Sequence, residues 1–288
     1  MTAIRWRSVL FAPANQPALV AKLSRSAPDV VVLDLEDAVP APNKGEARAA
    51  AVDAIVTLGA PDGAPLVAVR VNSVRTSWFD DDVSAVVAAG VGAIVVPKLE
   101  SIDDVRRLHA AVTAASATTT RAPGATPLLV AGIETARGVA DARTYLADGF
   151  AACYFGAEDY VADMGGERTS SNDEVRFARG YVALAARVCG VAALDIVTAD
   201  IADAERFARE ATEARALGYA GKLCIHPRQV ALARDAFTPT EQQVDRARRV
   251  LAAWAEANER GVGAIAFEGQ LIDEPMATRA RAVLSSID

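Results

Sequence analysis

Carboxylates gather where apolar runs end. Residues 151–155 (AACYF) lead through Gly156 and Ala157 to Glu158 and Asp159, side by side. The same arrangement recurs at 30–33, which opens onto Asp34, Glu36 and Asp37, and at 128–133, which opens onto Glu134. One such acid is as readily a helix cap, but three strand-like runs ending in acids describe an oxygen-only site for a hard cation. Mg2+ and Mn2+ suit it, because they keep waters and take few carboxylates directly. Glu134 and Asp159 are the expected direct ligands, with Glu36 and Asp37 orienting metal-bound waters. Zinc is disfavoured by two histidines and three widely spaced cysteines. A hydrolase triad is disfavoured too, since His109 falls in an expected exposed helix and leaves only His226.

The elements that must carry these acids alternate regularly. Apolar runs at 9–11, 30–33, 66–70, 93–96, 128–133, 151–155, 192–197 and 221–225 read as strands, and none alternates inward and outward, as expected where both faces are covered. Helical patterns lie between them: 17–26 after Asn15 as cap, 44–58, and 203–217 ended by Gly218. Ser101 with Asp104, and Ser171 with Glu174, have the spacing of helix starts. The Thr/Ala/Pro tract at 117–126 reads as a surface connector. Eight strand–helix units predict an α/β fold, a (β/α)8 TIM barrel over residues 1–236, with a C-terminal helical extension at 237–288. A doubly wound sheet is disfavoured because no glycine-rich phosphate fingerprint follows any strand.

In such barrels the C-terminal strand ends share one face. That face collects Arg70, Lys98, Thr198, Asp200 and His226 alongside the acids. Arg70 either pairs with Asp34 or faces substrate, and His226 reads as a structural hydrogen-bonding residue. Backbone N–H groups around Gly156, Ala157 and Glu158 could hold a carboxylate, since glycine permits close approach. The 288 residues, 52% of them hydrophobic, can bury a sizeable core. A net charge of -7 argues against nucleic acid as partner. No apolar run reaches membrane-spanning length, and the cysteines suggest a reducing, cytoplasmic setting.

Several motifs together carry a resemblance: RSVLFAPAN at 7–15, DLEDAV at 34–39, VRVN at 69–72, VPK at 96–98, GIETARG at 132–138, FGAEDYVADMG at 155–165, KLCIHPRQV at 222–230 and FEGQLIDEP at 267–275. As a set, in this order, the chain resembles the citrate lyase beta-subunit family among HpcH/HpaI-type metal-dependent aldolases. The resemblance implies Mg2+ on Glu134 and Asp159, Arg70 at the substrate, and a coenzyme A or acyl-carrier thioester as one reactant half. It further implies a homotrimer or hexamer in which Asp273 crosses into the neighbouring subunit's site to move the thioester α-proton. By spacing alone Asp273 is a helix cap before Glu274 and Pro275. Lys44 and Arg75 are candidate contacts for CoA phosphates, or else solvated charges.

The chemistry expected is cleavage of a 3-hydroxyacyl-CoA such as citramalyl-, citryl- or malyl-CoA into acetyl-CoA and a 2-keto acid, or the reverse. The alternatives are a citrate lyase beta subunit acting on a citryl-acyl carrier protein, a pyruvate aldolase without thioester, and a non-catalytic acyl-CoA-binding or regulatory barrel.

Overall fold

Short Val/Ile/Leu runs covered on both faces pair in parallel and close on themselves. In a computed structural model, which describes residues 4–59, 63–118 and 126–287, the strands are β1 (Ser8–Pro13), β2 (Val30–Asp34), β3 (Leu66–Arg70), β4 (Ala93–Val96), β5 (Leu128–Ile133), β6 (Phe150–Phe155), β7 (Ala192–Asp195) and β8 (Gly221–Cys224). Each pairs with the next, and β8 returns to β1, so the expected eight-stranded α/β barrel is the fold. Closure depends on Gly221, where a Cβ would lie 1.8 Å from the Trp6 carbonyl oxygen, so no side chain fits at that seam. Inside, Val9, Val32, Val95, Val130, Tyr154 and Leu223 belong to one buried cluster, a packed core rather than a pore.

The surrounding helices are α1 (Pro17–Val20), α2 (Lys44–Gly59), α3 (Phe79–Ala89), α4 (Ile102–Thr118), α5 (Ala136–Tyr145), α6 (Ala157–Asp163), α7 (Arg176–Cys189), α8 (Ala204–Leu217) and α9 (Pro227–Phe237). Ser101 and Asp104 cap α4 reciprocally, each side chain accepting from the other's backbone N–H at 3.2 and 3.1 Å. Asp203 caps α8, and Gly218 ends it with φ 96°.

Two helix starts differ from expectation. The run at 17–26 breaks into the four-residue α1 and a 3-10 turn, with Gln16 rather than Asn15 at the cap. Ser171 does not open α7. Asn172 takes φ 57°, a 3-10 turn (Asp173–Val175) follows, and Glu174 pairs with Arg168 instead. Most of the connector expected at 117–126 lies outside the described residues.

A buried ionic network joins β7, β8, α7 and α8. Lys222, fully buried, donates to Asp195 and Glu210 at 3.0 and 3.2 Å, and Arg179 grips Asp195 through two hydrogen bonds. Glu210 also accepts from Thr198 (2.5 Å) and Asn172 (3.0 Å), and these cationic and polar neighbours hold its carboxyl down to about 2 despite burial.

The chain divides into two compact units, 1–234 and 235–288. The second contains α10 (Glu241–Glu259), an antiparallel hairpin of β9 (Ile265–Phe267) and β10 (Gln270–Ile272), and α11 (Glu274–Ser285). A Thr240/Gln243 capping box starts α10. Val250, Trp254, Ile272, Ala277 and Ala280 form this unit's own core. Among the described residues no helix is long and apolar enough to cross a membrane.

Candidate active site

The carboxylates at the ends of β2, β5 and β6 meet at the C-terminal mouth of the barrel. A cavity of about 360 Å³ opens there, lined by Phe11, Arg70, Glu134, Tyr154, Asp159 and Val197 among others.

Asp34, at the end of β2, turns the chain by accepting from the backbone N–H groups of Glu36 and Ala38 at 2.9 and 3.3 Å. It also accepts two hydrogen bonds from Arg70 on β3, both 2.7 Å. Arg70 is thus a partner of Asp34 and a wall of the cavity at once. Its remaining nitrogen lies 3.1 Å from Glu36 Oε2, and its guanidinium stacks over Phe11 at 5.5 Å. Such a fork, fixed on one side, presents a rigid positive charge.

Glu134 is 1% exposed. Its Oε1 accepts from the Tyr154 hydroxyl, while Oε2, equally buried, has no hydrogen-bond partner. Burial pushes this carboxyl up to about 7, against the pull of Arg70 and with a further upward push from Glu36 and Asp159. A buried carboxylate oxygen without a partner is costly, and a cation is the partner such an oxygen lacks. The donor set therefore fits a hard divalent ion.

Two glycines make the arrangement sterically possible. A Cβ on Gly156 would lie 2.6 Å from Glu134 Cγ, so the room this glycine provides is taken by Glu134 itself. A Cβ on Gly132 would lie 2.6 Å from the Tyr154 hydroxyl. Gly156 then leads into α6, whose first turn holds Ala157, Glu158 and Asp159 and whose first N–H groups have no carbonyl one turn earlier. Glu158 points to the surface, where Arg168 donates to it at 2.9 Å. Arg168 also donates to Asn172, and Asn172 to buried Glu210, so the ionic network of the barrel wall anchors this loop.

Lys98, after β4, reaches across the mouth. Its ammonium lies 2.6 Å from Glu36, 3.0 Å from Asp37 and 3.5 Å from Asp159. These hydrogen bonds and charges outweigh its desolvation and raise its pKa above the ordinary lysine value. Glu36 is buried and shifted upward, chiefly by desolvation. Asp37 is exposed and shifted downward: burial opposes that shift, and the Lys98 hydrogen bond leads the interactions that outweigh it.

Some expected site residues stand elsewhere. Lys44 is buried at 6% exposure and donates to the carbonyl oxygens of Leu35 and Glu36 at 2.6 and 2.8 Å. It braces the backbone that carries Glu36 and Asp37 from behind, so its expected contact with CoA phosphates is corrected to a structural one. Arg75 remains half-exposed but is paired with Glu100 and Asp104 at 2.9 and 2.6 Å. Asp273, in the second unit, caps α11 by accepting from the Met276 N–H at 3.3 Å. His226 accepts locally from the Arg228 N–H.

Tyr154 is a site residue that sequence reasoning missed, and Lys98 is one that it placed at the mouth without giving it a role. Tyr154 sat inside an apolar run as an ordinary core aromatic, and only its place two residues before Gly156 hinted at an inward-facing hydroxyl. Lys98 was among the strand ends, but nothing in the sequence indicated its partners.

Known proteins share this architecture over nearly the full chain. The citrate lyase subunit beta-like protein of Deinococcus radiodurans is 50% identical over 283 residues, covering 97% of this chain and 96% of that one. The L-malyl-CoA/beta-methylmalyl-CoA lyase of Cereibacter sphaeroides is 36% identical over 291 residues, covering 93% and 90%. Among solved structures, protein CitE from Mycobacterium tuberculosis in complex with magnesium, acetoacetate and coenzyme A superposes with a TM-score of 0.78 at 35% identity, covering 98% of each chain. Residues 7–227 match the family described as HpcH/HpaI aldolase/citrate lyase. With that match spanning most of its length, and a barrel mouth built from a buried glutamate, a second carboxylate and a fixed arginine, the chain belongs to the HpcH/HpaI aldolase/citrate lyase family.

Proposed function

We propose that this chain is a Mg2+-dependent carbon–carbon lyase acting on a 3-hydroxyacyl-CoA thioester such as citramalyl-, malyl- or citryl-CoA, with acetyl-CoA and a 2-keto acid as the other side of the reaction. The observation that carries this reading is the partnerless, buried Oε2 of Glu134 in a cavity shared with Asp159 and Arg70. Glu134 and Asp159 would hold the ion, with Mn2+ as a substitute and with Glu36 and Asp37 facing its waters. When bound, Mg2+ supplies Lewis acidity toward the oxygen that becomes or ceases to be a carbonyl.

The chain's own residues do the rest. Arg70, locked by Asp34, offers positive charge to the substrate oxygens and to the enolate that leaves when the C–C bond breaks. Backbone N–H groups at Ala157 and Glu158 receive the keto-acid carboxylate; the Gly156 N–H, expected to join them, is instead donated to the Ile133 carbonyl at 3.0 Å. In cleavage the substrate hydroxyl passes its proton to water in the cavity as it becomes the keto-acid carbonyl, the electrons of the C–C bond pass to the thioester α-carbon, and Asp273, protonated, delivers a proton there. In the reverse direction Asp273 removes it. Arg75 stays as a candidate phosphate contact.

Asp273 would act from a neighbouring copy in a homotrimer or hexamer. Apolar Phe177, Leu184 and Val188, exposed in a line along α7, support self-association. Three free thiols suit a cytoplasmic setting. Similarity to proteins named citrate lyase subunit beta, 35% over 280 residues for that of Leuconostoc mesenteroides, favours one second reading, a citryl thioester on an acyl carrier protein. Assaying the purified chain with Mg2+ against citramalyl-, malyl- and citryl-CoA and against citryl-acyl carrier protein decides between them. Release of acetyl-CoA from at least one CoA substrate is expected. Turnover of the carrier-bound citryl group alone would replace the first reading with the second, and no Mg2+-dependent turnover of any would remove both.

A further inference from the structure

Lys98 stands out among the groups at the barrel mouth because the lyase reading gives it no task. It is one of four non-glycine residues among those described with a positive φ, here 54°, a region that favours glycine. Its backbone is nonetheless pinned. Arg75 donates to its carbonyl oxygen at 3.1 Å, and the next N–H, that of Leu99, donates to the Gly132 carbonyl at 3.1 Å. This turn throws the ammonium inward, onto three carboxylates that arrive from two different strand ends.

Those contacts are unequal. The ammonium is close to Glu36 and Asp37, at 2.6 and 3.0 Å, and more distant from Asp159, at 3.5 Å. Glu36 and Asp37 are adjacent in sequence, and without a cation between them their charges repel. Asp159 has no other ion-pair partner among the described contacts and lies in the same cavity as the partnerless Oε2 of Glu134. A cation bound by Asp159 and Glu134 must therefore share Asp159 with a lysine anchored elsewhere. Asp34 is not part of this contest, because Arg70 already holds both its oxygens.

We propose that Lys98 is a positioning residue that serves as the site's built-in counter-cation: it keeps Glu36 and Asp37 together and competes with the divalent ion for Asp159. The inference rests on the metal reading given above and adds a determinant of how tightly the ion is held. Lys98 lowers metal affinity by its charge while ordering the acids that face the metal's waters.

The test uses the whole chain, stripped of metal with a chelator and titrated with Mn2+, with free Mn2+ read by its paramagnetic resonance signal. Lys98→Met and Lys98→Gln, which remove the charge, are expected to bind Mn2+ at least tenfold more tightly than the wild type. Lys98→Arg, which keeps it, is expected to stay within about threefold, since an arginine preserves the Coulomb contest. Metal-free Lys98→Met should also melt lower than the wild type and gain more from saturating Mn2+. A merely structural lysine would lower the melting temperature and leave the Mn2+ affinity where it was. Wild-type affinity or weaker in both neutral variants, with the wild type binding Mn2+, overturns the role of Lys98 alone. A wild type that binds no Mn2+ removes the metal reading itself and this proposal with it.

Discussion

Replacing Glu134 with glutamine separates what the site does for function from what it does to the fold. The Glu134 carboxyl is pushed from the ordinary 4.5 up to about 7 by burial. That displacement corresponds to about 3 kcal/mol of folding free energy. The sign follows from where the proton sits. The folded state holds it more tightly than the unfolded state, so the associated stability is present in full below pH 4.5 and is lost as pH rises through about 7. Above that, the ionised, buried side chain burdens the metal-free fold by about 3 kcal/mol. Glutamine stays neutral throughout. Its amide nitrogen would lack a partner, as Oε2 does now, which offsets roughly 1 kcal/mol. Metal-free Glu134→Gln should therefore be about 2 kcal/mol more stable than the wild type at pH 8.5 and no more stable at pH 5, while saturating Mg2+ stabilises only the wild type. Urea denaturation with chelator at the two pH values, repeated with Mg2+, measures each quantity, and groups that titrate alike in both proteins cancel in the difference. A variant no more stable at pH 8.5, or equally advantaged at both pH values, would refute the argument that Glu134 is an ion's ligand held at the fold's expense.

Gly156→Ala places a methyl 2.6 Å from Glu134 Cγ, and Glu134 is enclosed, so overpacking of about 1–3 kcal/mol is expected. Mn2+ affinity should fall at least tenfold, and an alanine variant with wild-type metal binding would show that Glu134 is free to move. Asp273→Asn and Arg70→Lys are each expected to lose most turnover. Mixing the two, unfolding and refolding them together, should restore part of it if Asp273 serves a neighbour's cavity, whereas no recovery in mixed oligomers would place both residues' work within one chain.

Much of the barrel was legible in the sequence because a strand covered on both faces leaves a continuous apolar run, and eight such runs separated by helical patterns admit few topologies. The acids at strand ends were legible for a related reason. In a parallel barrel all C-terminal ends share one face, so order along the chain becomes proximity in space. Helix starts with reciprocal capping, as at Ser101 and Asp104, could be read locally. Ser171 and Glu174 had the same spacing and did not cap, because Arg168 and the left-handed Asn172 drew that segment toward the Glu210 network, a contact made across the fold.

What the sequence by itself determined is the α/β barrel, the family and the set of carboxylates at its mouth, since these depend on local apolar periodicity and on residue types that stay near one another whatever the side chains do. Only the tertiary structure decided which charges are spent on each other. Arg70 is locked by Asp34, Lys44 is turned inward onto backbone carbonyls, Lys98 bridges three acids, and Tyr154 leaves one oxygen of Glu134 without a partner. The physical reason is that pairing and burial depend on distances of a few ångströms between residues tens of positions apart, and no spacing along the chain specifies them.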